Sequence, residues 1–129
     1  MKELKLNWSK LALLEDAFVN SIDPAQSGVY IIAAVRTEGD VTGPKVMKVG
    51  YGKFREEIDK YKLVHPGEPL VTSSIGWASV SPEHQEKIPG ILRFLRQGLR
   101  LTIPKHEQVV ATIPVTLPDW WSQLLTEGK

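Results

Sequence analysis

The sequence predicts an α+β domain in which helices flank a small, mainly antiparallel sheet of three strands. Apolar, β-branched runs at residues 28–37 and 70–80 are typical of buried strands. A turn-rich stretch separates the first run from a shorter one at residues 45–50, which indicates a hairpin. Apolar residues at helical spacing before, between and after these runs predict the helices.

The composition fits a single domain over residues 1–129, with 42% hydrophobic and 24% charged residues. There is no cysteine, which excludes disulfides and thiolate chemistry. Sixteen basic and 15 acidic residues give a net charge of +1, so the totals alone do not indicate a nucleic-acid binder. Charges interrupt the apolar N-terminal segment, which argues against a signal peptide. No apolar run is long enough to cross a bilayer, and we expect a cytoplasmic protein without membrane contact.

The N-terminal segment, residues 1–26, is predicted to be a helix followed by a turn. Its apolar residues recur at three- and four-residue steps: Trp8, Leu11, Leu14, Phe18 and Ile22. Asn7 or Ser9 would cap this helix, and Asp23-Pro24 would end it. The first strand and its hairpin partner then follow, joined by turn residues 38–44.

The middle of the chain is predicted to continue with a helix and the third strand. Phe54, Ile58 and Tyr61 repeat at helical spacing, so residues 53–62 should form the helix. Residues 65–69 read as a loop, and Gly76 could introduce a bulge in the strand that follows.

The last part of the chain is predicted to hold one more substantial helix. Ser81-Pro82 could open a short helical turn, and Pro89 suits the first position of a helix over residues 89–100. Residues 109–118 should be extended, since prolines punctuate them. The tail, residues 119–129, begins Asp-Trp-Trp and could form a short helix.

Two triplets and the order of elements resemble the GIY-YIG endonuclease superfamily. Gly28-Val29-Tyr30 opens the first strand and Lys48-Val49-Gly50 ends the second. A helix, a strand containing Trp77, a second helix and the segment Ile-Pro-Val-Thr-Leu-Pro at residues 113–118 then follow. The resemblance covers residues 27–118 and implies a three-stranded antiparallel sheet flanked by helices.

The resemblance also implies a catalytic site of four residues. A tyrosine of the first triplet activates a water, and a tyrosine of the second supports the same site. An arginine on the following helix stabilises the charge that develops on the phosphate, and a glutamate on the late helix holds a divalent metal. In this chain Tyr30 keeps the first place, whereas Lys48, Glu57 and Leu92 occupy the other three.

These substitutions predict a catalytically impaired domain. A leucine cannot ligate a hard cation such as Mg²⁺ or Mn²⁺. A glutamate in place of the arginine would repel the phosphate, and losing one electrostatic stabiliser typically costs about 10²–10³-fold in rate. We therefore expect impaired or absent nuclease activity, and no cofactor unless the domain is active, in which case it would use Mg²⁺ or Mn²⁺. Alternatively, Glu83 or Glu86 could supply a carboxylate to a rearranged, active metal-dependent endonuclease.

A cluster of basic residues on the late helix predicts a surface for the phosphate backbone of DNA or RNA. Residues 87–105 contain five basic residues and no acidic one. Arg93, Arg96 and Arg100 follow an i, i+3, i+7 spacing that places them on one stripe, and Lys48 could also contact phosphate. The alternative is an ordinary solvated helix face.

The leading hypothesis is therefore a degenerate GIY-YIG-like domain that binds nucleic acid or another macromolecule. A third hypothesis is a protein-interaction module, in which Trp120 and Trp121 form a partner-binding or self-association patch. The alternative is that the tail folds back onto the domain, because a tryptophan can bury a large apolar area. Tyr30 likewise has a purely structural alternative, as a strand aromatic residue packed on a helix.

Overall fold

The computed structural model describes residues 3–38, 41–64 and 73–124, and it has the predicted α+β architecture. In this part of the chain four strands form one antiparallel sheet in the order β1-β4-β2-β3. The strands are β1 (Ala12–Leu13), β2 (Ser27–Glu38), β3 (Val41–Lys53) and β4 (Ser73–Ala78). The helices are α1 (Asp16–Ser21), α2 (Phe54–Val64), α3 (Ile88–Gly98), α4 (Lys105–Gln108) and α5 (Trp121–Leu124), with a 3-10 helix at Pro82–Lys87.

The three predicted strands correspond to β2, β3 and β4, and the sheet has one strand more than expected. The additional strand, β1, has only two residues and pairs with the outer edge of β4. The hairpin between β2 and β3 has the expected antiparallel pairing, with a register shift between Ile32 and Ala33. Residues 65–72, which include the predicted loop and the start of the predicted third strand, lie outside the described residues.

The predicted N-terminal helix is wrong for most of its length. Helix α1 covers only Asp16–Ser21, and Trp8 instead forms an antiparallel bridge with Ala78. The reason is that the apolar residues of this segment pack against both faces of the sheet, some on one face and some on the other. Leu11 packs with the cluster on one face, whereas Leu14 belongs to the cluster on the other. One continuous helix cannot pack against both faces.

The central strand β2 is buried on both faces because helices cover each side. Val29 and Ile31 point to one face, which we call the Val29 face, and Tyr30 and Ile32 point to the other, the Tyr30 face. Buried side chains of α1 and α2 cover the Tyr30 face: Val19, Phe54, Ile58 and Tyr61. Buried side chains from α3 and the C-terminal part cover the Val29 face: Ile88, Ile91, Leu92, Leu95, Val115 and Trp120.

The late helices follow the prediction in part. The 3-10 helix begins at Pro82 as expected, and Pro89 lies in the first turn of α3. Helix α3 ends at Gly98 rather than at residue 100, so Arg100 lies beyond its end with a positive φ of 59°. Helix α4 was not predicted. The predicted extended segment is seen in part: residues 109–110 lie in a turn after α4, whereas Val115 forms a parallel bridge with Leu4 of the N-terminal segment.

The predicted bulge at Gly76 is wrong. Gly76 makes no bulge, since its pairing with Ile31 continues the register of β2 and β4. A Cβ at Gly76 would instead overlap the indole of Trp120, so the glycine lets this ring lie against the strand. Across the described ranges, none of the helices has the length and apolarity needed to cross a membrane.

Candidate functional site around Tyr30 and Glu57

The side chain of Tyr30 reaches from the central strand across its neighbour β3. Tyr30 pairs with Gly50 in the β2–β3 register and is fully buried. A Cβ at Gly50 would lie 2.7 Å from the Tyr30 hydroxyl oxygen, closer than real Cβ atoms come to a neighbour. Gly50 therefore leaves the space that the Tyr30 ring occupies, because a side chain at position 50 would overlap it.

Glu57, on the first turns of α2, accepts a hydrogen bond from the Tyr30 hydroxyl. The Tyr30 hydroxyl donates to Glu57 Oε1 at 2.7 Å, and Lys60 Nζ donates to Glu57 Oε2 at 3.0 Å. The Glu57 side chain is only 12% exposed, whereas that of Lys60 is 65% exposed. Both carboxylate oxygens are thus engaged by donors from within the chain.

The electrostatics of this pair keep the carboxyl ionised and the phenol neutral. Burial raises the pKa of Tyr30, and the hydrogen bond to Glu57 raises it further, against a smaller opposing effect of the Arg96 charge. Burial would raise the pKa of Glu57, but the donors Tyr30 and Lys60 and the charge of Lys48 together lower it below its ordinary value. At neutral pH Tyr30 is therefore a hydrogen-bond donor and not a base.

Lys48 joins this pair, but Leu92 does not. Lys48 pairs with Ile32 on the Tyr30 face and is half-buried, and its charge acts on Glu57. Leu92 is a buried core residue of α3 on the Val29 face, with 8% exposure. The sheet thus separates Leu92 from Tyr30, Lys48 and Glu57.

Arg96 approaches the site from α3, along the edge of the sheet. It donates from Nη2 to the carbonyl of Val49 at 2.7 Å, next to Gly50 on the edge strand β3. Its other guanidinium nitrogen pairs with the carboxylate of Glu107, which is 1% exposed. Glu107 lies two residues after the segment without acidic residues. Sequence reasoning missed this partner because helical spacing does not show a contact between two helices.

Arg93 binds backbone carbonyls at the end of α4. It donates to the carbonyls of Gln108 at 2.9 Å and Val110 at 2.6 Å, at the C-terminal end of α4. Such contacts satisfy carbonyls that a helix end leaves unpaired. Arg100 is exposed beyond the end of α3. Of the three arginines in the predicted basic stripe, Arg93 and Arg96 therefore bind other parts of the chain, and Arg100 is exposed to solvent.

The alternative carboxylates lie on the 3-10 helix and are both exposed. Glu83 is 3.6 Å from His84 Nε2, and the structure gives no contact from Glu83 or Glu86 to Tyr30. Across residues 3–38, 41–64 and 73–124, no three His, Asp or Glu side chains form a group that could hold a metal ion. The divalent metal that the resemblance implies does not fit the family position, because Leu92 has no ligating oxygen.

The tryptophans of the tail pack onto the domain. Trp120 is 7% exposed and donates from Nε1 to the carbonyl of Ser9 at 2.9 Å. Its ring meets that of Trp8 edge to face at 5.9 Å between centroids. Trp121 is half-buried, and a Cβ at Gly98 would lie 2.9 Å from its ring. This arrangement is the folded-back tail that the sequence left as an alternative to a surface patch.

No protein-family model matches the sequence, and no curated protein or solved structure matches it significantly. The resemblance to the GIY-YIG endonucleases rests on the two triplets and on the order of elements.

Proposed function

We propose that this chain is a GIY-YIG-like domain that has lost the nuclease reaction and binds nucleic acid or another macromolecule. One observation carries the proposal: Glu57, which the resemblance matches to the family's arginine, accepts a hydrogen bond from the Tyr30 hydroxyl at 2.7 Å. The tyrosine that would serve as a base is thereby held in its neutral, donating form.

The charge at this position also opposes the reaction. Phosphodiester cleavage builds negative charge on the phosphate, which cationic or hydrogen-bond-donating groups must stabilise. Glu57 contributes a carboxylate whose pKa lies below its ordinary value, so it is ionised at neutral pH. Lys48 and Lys60 offset this charge but both act on Glu57, which leaves less positive potential for a phosphate.

A plasmid-nicking assay tests the loss of catalysis. Supercoiled plasmid incubated with the protein and Mg²⁺ or Mn²⁺ should stay supercoiled, as in the reaction without protein. Metal-dependent nicking that disappears in Tyr30→Phe would contradict the proposal. Tyr51→Phe is the matched control, because Tyr51 lies on the same hairpin but donates to Gln85 at 2.8 Å, away from Glu57.

The binding half of the proposal is best tested at Lys48 and Arg100. Neither residue forms an ion pair with another described residue, whereas Arg93 and Arg96 hold α4 in place. Lys48→Glu with Arg100→Glu should weaken salt-sensitive binding to DNA or RNA, since phosphate contacts release counterions. Unchanged binding in this double variant would remove nucleic acid as the partner of Lys48 and Arg100.

A specific observation favours one second candidate, an active nuclease with a rearranged site. Arg96 binds the carbonyl of Val49, beside the glycine over which Tyr30 lies, so a guanidinium from α3 is close to the tyrosine. This candidate predicts nicking that both Tyr30→Phe and Arg96→Lys abolish, with thermal melting to show that the variants remain folded. The leading proposal predicts no nicking in any of these proteins.

A further inference from the structure

The region from residue 87 to residue 118 is positively charged within a nearly neutral chain. It contains five basic residues and one acidic residue, whereas the rest of the chain contains 11 basic and 14 acidic residues. The acidic residue, Glu107, is 1% exposed and pairs with Arg96, so its charge is compensated inside the protein. The positive potential therefore belongs to α3, α4 and the residues 99–104 between them, which we call the α3–α4 turn.

The α3–α4 turn is held in place by hydrogen bonds to both of its helices. Leu101 N donates to the carbonyl of Arg96 at 2.9 Å, and Gln108 Nε2 donates to the carbonyl of Ile103 at 2.8 Å. Arg93 and Arg96 also bind α4 from α3. Side chains that project from this turn and from the start of α4 are therefore carried by an ordered backbone, which reduces the entropy lost on binding.

Arg100 and Lys105 are the cations that this surface presents to solvent. Both side chains are exposed, and neither forms a hydrogen bond or an ion pair with another described residue. His106 is exposed as well, but its Nε2 lies 3.5 Å from the carboxylate of Glu107, so it has an acidic neighbour within the chain. Arg100 and Lys105 are thus available to an anionic ligand.

The backbone of Arg100 is an independent indication that this side chain acts outside the fold. Its φ of 59° lies in the left-handed region, where a Cβ is unfavourable and where glycine is the usual residue after a helix. Strained residues of this kind cluster at functional sites. Arg96 already places a cation in the last turn of α3, so the charge of Arg100 is not needed to offset the helix dipole. We therefore assign the Arg100 side chain to binding.

We propose that the α3–α4 turn binds the phosphate backbone of a nucleic-acid duplex through Arg100 and Lys105. This inference rests on the proposed function, because it names the surface and the form of the nucleic acid for the partner proposed there. Among the described residues of the turn and α4, no Phe, Tyr or Trp is exposed, so unpaired bases have no ring on which to stack. A duplex carries its phosphates at a higher density along its axis than a single strand does. Contacts to phosphates alone do not distinguish sequences.

Fluorescence anisotropy with a short labelled DNA duplex tests the site. The affinity should fall as the salt concentration rises, should not depend on base composition and should exceed the affinity for either single strand. An RNA duplex of the same sequence, titrated in parallel, distinguishes two sources of the same backbone, and binding of either duplex supports the site. Equal or tighter binding of the single strand would overturn the inference. So would displacement of the labelled duplex by poly-glutamate as efficient as that by unlabelled duplex, since the partner would then be an acidic polypeptide.

Arg100→Gly and Lys105→Gln locate the binding. Arg100→Gly removes the side chain and suits the left-handed conformation, so this variant should remain at least as stable as the unsubstituted protein while binding the duplex about tenfold more weakly. Lys105→Gln should weaken binding by a similar factor. Each change should also reduce the slope of log affinity against log salt by about 0.9. Lys10→Gln is the matched control, because Lys10 is exposed on the N-terminal segment and its loss changes the net charge equally.

The outcomes separate this inference from the proposed function. Duplex binding that is unchanged in Arg100→Gly and Lys105→Gln, or equally weakened in Lys10→Gln, overturns the inference alone, because the protein would then bind nucleic acid without this surface. The absence of binding to any duplex overturns the inference together with nucleic acid as the proposed partner. Plasmid nicking bears on neither result, since it tests only the loss of catalysis.

Discussion

At the scale of single residues, the acceptor of the Tyr30 hydroxyl determines what this side chain can do. A carboxylate acceptor favours the neutral phenol, because ionising Tyr30 would place two negative charges at hydrogen-bond distance. The same contact favours the ionised form of Glu57. The glutamate at position 57 thus sets both the charge at its own position and the proton affinity of the neighbouring tyrosine.

Tyr30 should make the protein less stable in alkaline solution. An unfolded tyrosine loses its proton near its ordinary pKa of 10.0, whereas folded Tyr30 keeps it to higher pH. The folded state then binds more protons, so stability that is present below pH 10 falls as the pH rises further. Above pH 10 the free energy of unfolding should therefore fall less steeply in Tyr30→Phe than in the unsubstituted protein. The two slopes should differ by up to about 1.4 kcal/mol per pH unit. Denaturant unfolding of both proteins across this range measures the difference, and equal slopes would contradict it.

The buried pair of Arg96 and Glu107 should be strongly coupled. Glu107→Gln leaves the guanidinium of Arg96, which is only 15% exposed, without its carboxylate partner. Because breaking a buried ion pair costs about 3–5 kcal/mol, the free energy of unfolding should fall by that amount. Arg96→Met combined with Glu107→Leu should cost clearly less than the sum of the single changes. Denaturant unfolding of the unsubstituted protein, Arg96→Met, Glu107→Leu and the double variant measures this coupling, and Glu107→Gln is measured beside them.

Lys60→Gln provides the control for that measurement. It breaks the contact of Lys60 with Glu57, in which the lysine is 65% exposed, and should therefore change stability far less. A loss in Lys60→Gln as large as that in Glu107→Gln would show that burial does not distinguish the two ion pairs.

At the scale of elements, the C-terminus of α3 shows how a helix end can carry a strained residue. Leu101 N donates to the carbonyl of Arg96 at 2.9 Å, and Arg100 N donates to that of Gln97 at 3.2 Å. This is the pair of bonds of a Schellman motif, in which the residue at the position of Arg100 is usually glycine. Arg100 adopts the left-handed conformation, with φ 59°, despite its Cβ.

Replacing Arg100 with glycine should stabilise the domain. A non-glycine residue in the left-handed region costs about 1–2 kcal/mol, part of which is offset by the greater freedom of glycine in the unfolded chain. We expect Arg100→Gly to raise the free energy of unfolding by roughly 0.5–1 kcal/mol, measured by denaturant unfolding. Gln97→Gly, within α3, is the control and should lower it by about 1 kcal/mol. Destabilisation by both changes would contradict the assignment of the cap.

The sequence predicts those elements whose patterns are local. The strands β2 to β4 and the helices α2 and α3 follow from apolar runs and helical spacing within each segment. The N-terminal segment does not, because Leu11 and Leu14 belong to opposite faces of a sheet whose other strands come later in the chain. Helix α4 has four residues and is held by Arg93 and Arg96 from another helix, which no local pattern shows.

The contacts of the candidate site likewise join residues far apart in the chain, so local sequence patterns do not show them. Tyr30 and Glu57 were both singled out in the sequence, and the structure places them in direct contact across 27 positions of the chain. Their hydrogen bond could not be predicted, because it depends on Gly50 leaving room for the tyrosine ring. Glu107 was missed because its partner Arg96 lies on a different helix.

At the scale of the whole molecule, the C-terminal part completes the core. The Val29 face is covered by α3 together with residues far along the chain, including Val115 and Trp120. Trp120 also links the sheet to the N-terminal segment through its hydrogen bond to Ser9. Trp120 is thus a structural part of the domain, and substitutions of it should act on folding.

Trp120→Ala should therefore destabilise the domain by about 3–5 kcal/mol, the usual cost of emptying a buried tryptophan site. Gly76→Ala should cost about 1–3 kcal/mol, because its Cβ would overlap the Trp120 ring and force a shift. In the Trp120→Ala background the ring is gone, so Gly76→Ala should cost far less. This non-additivity, measured by denaturant unfolding of the four proteins, is specific to direct contact. If Trp120 acted instead through self-association, the single variant would lower the sedimentation coefficient while leaving the cost of Gly76→Ala unchanged, and the packing account would be wrong.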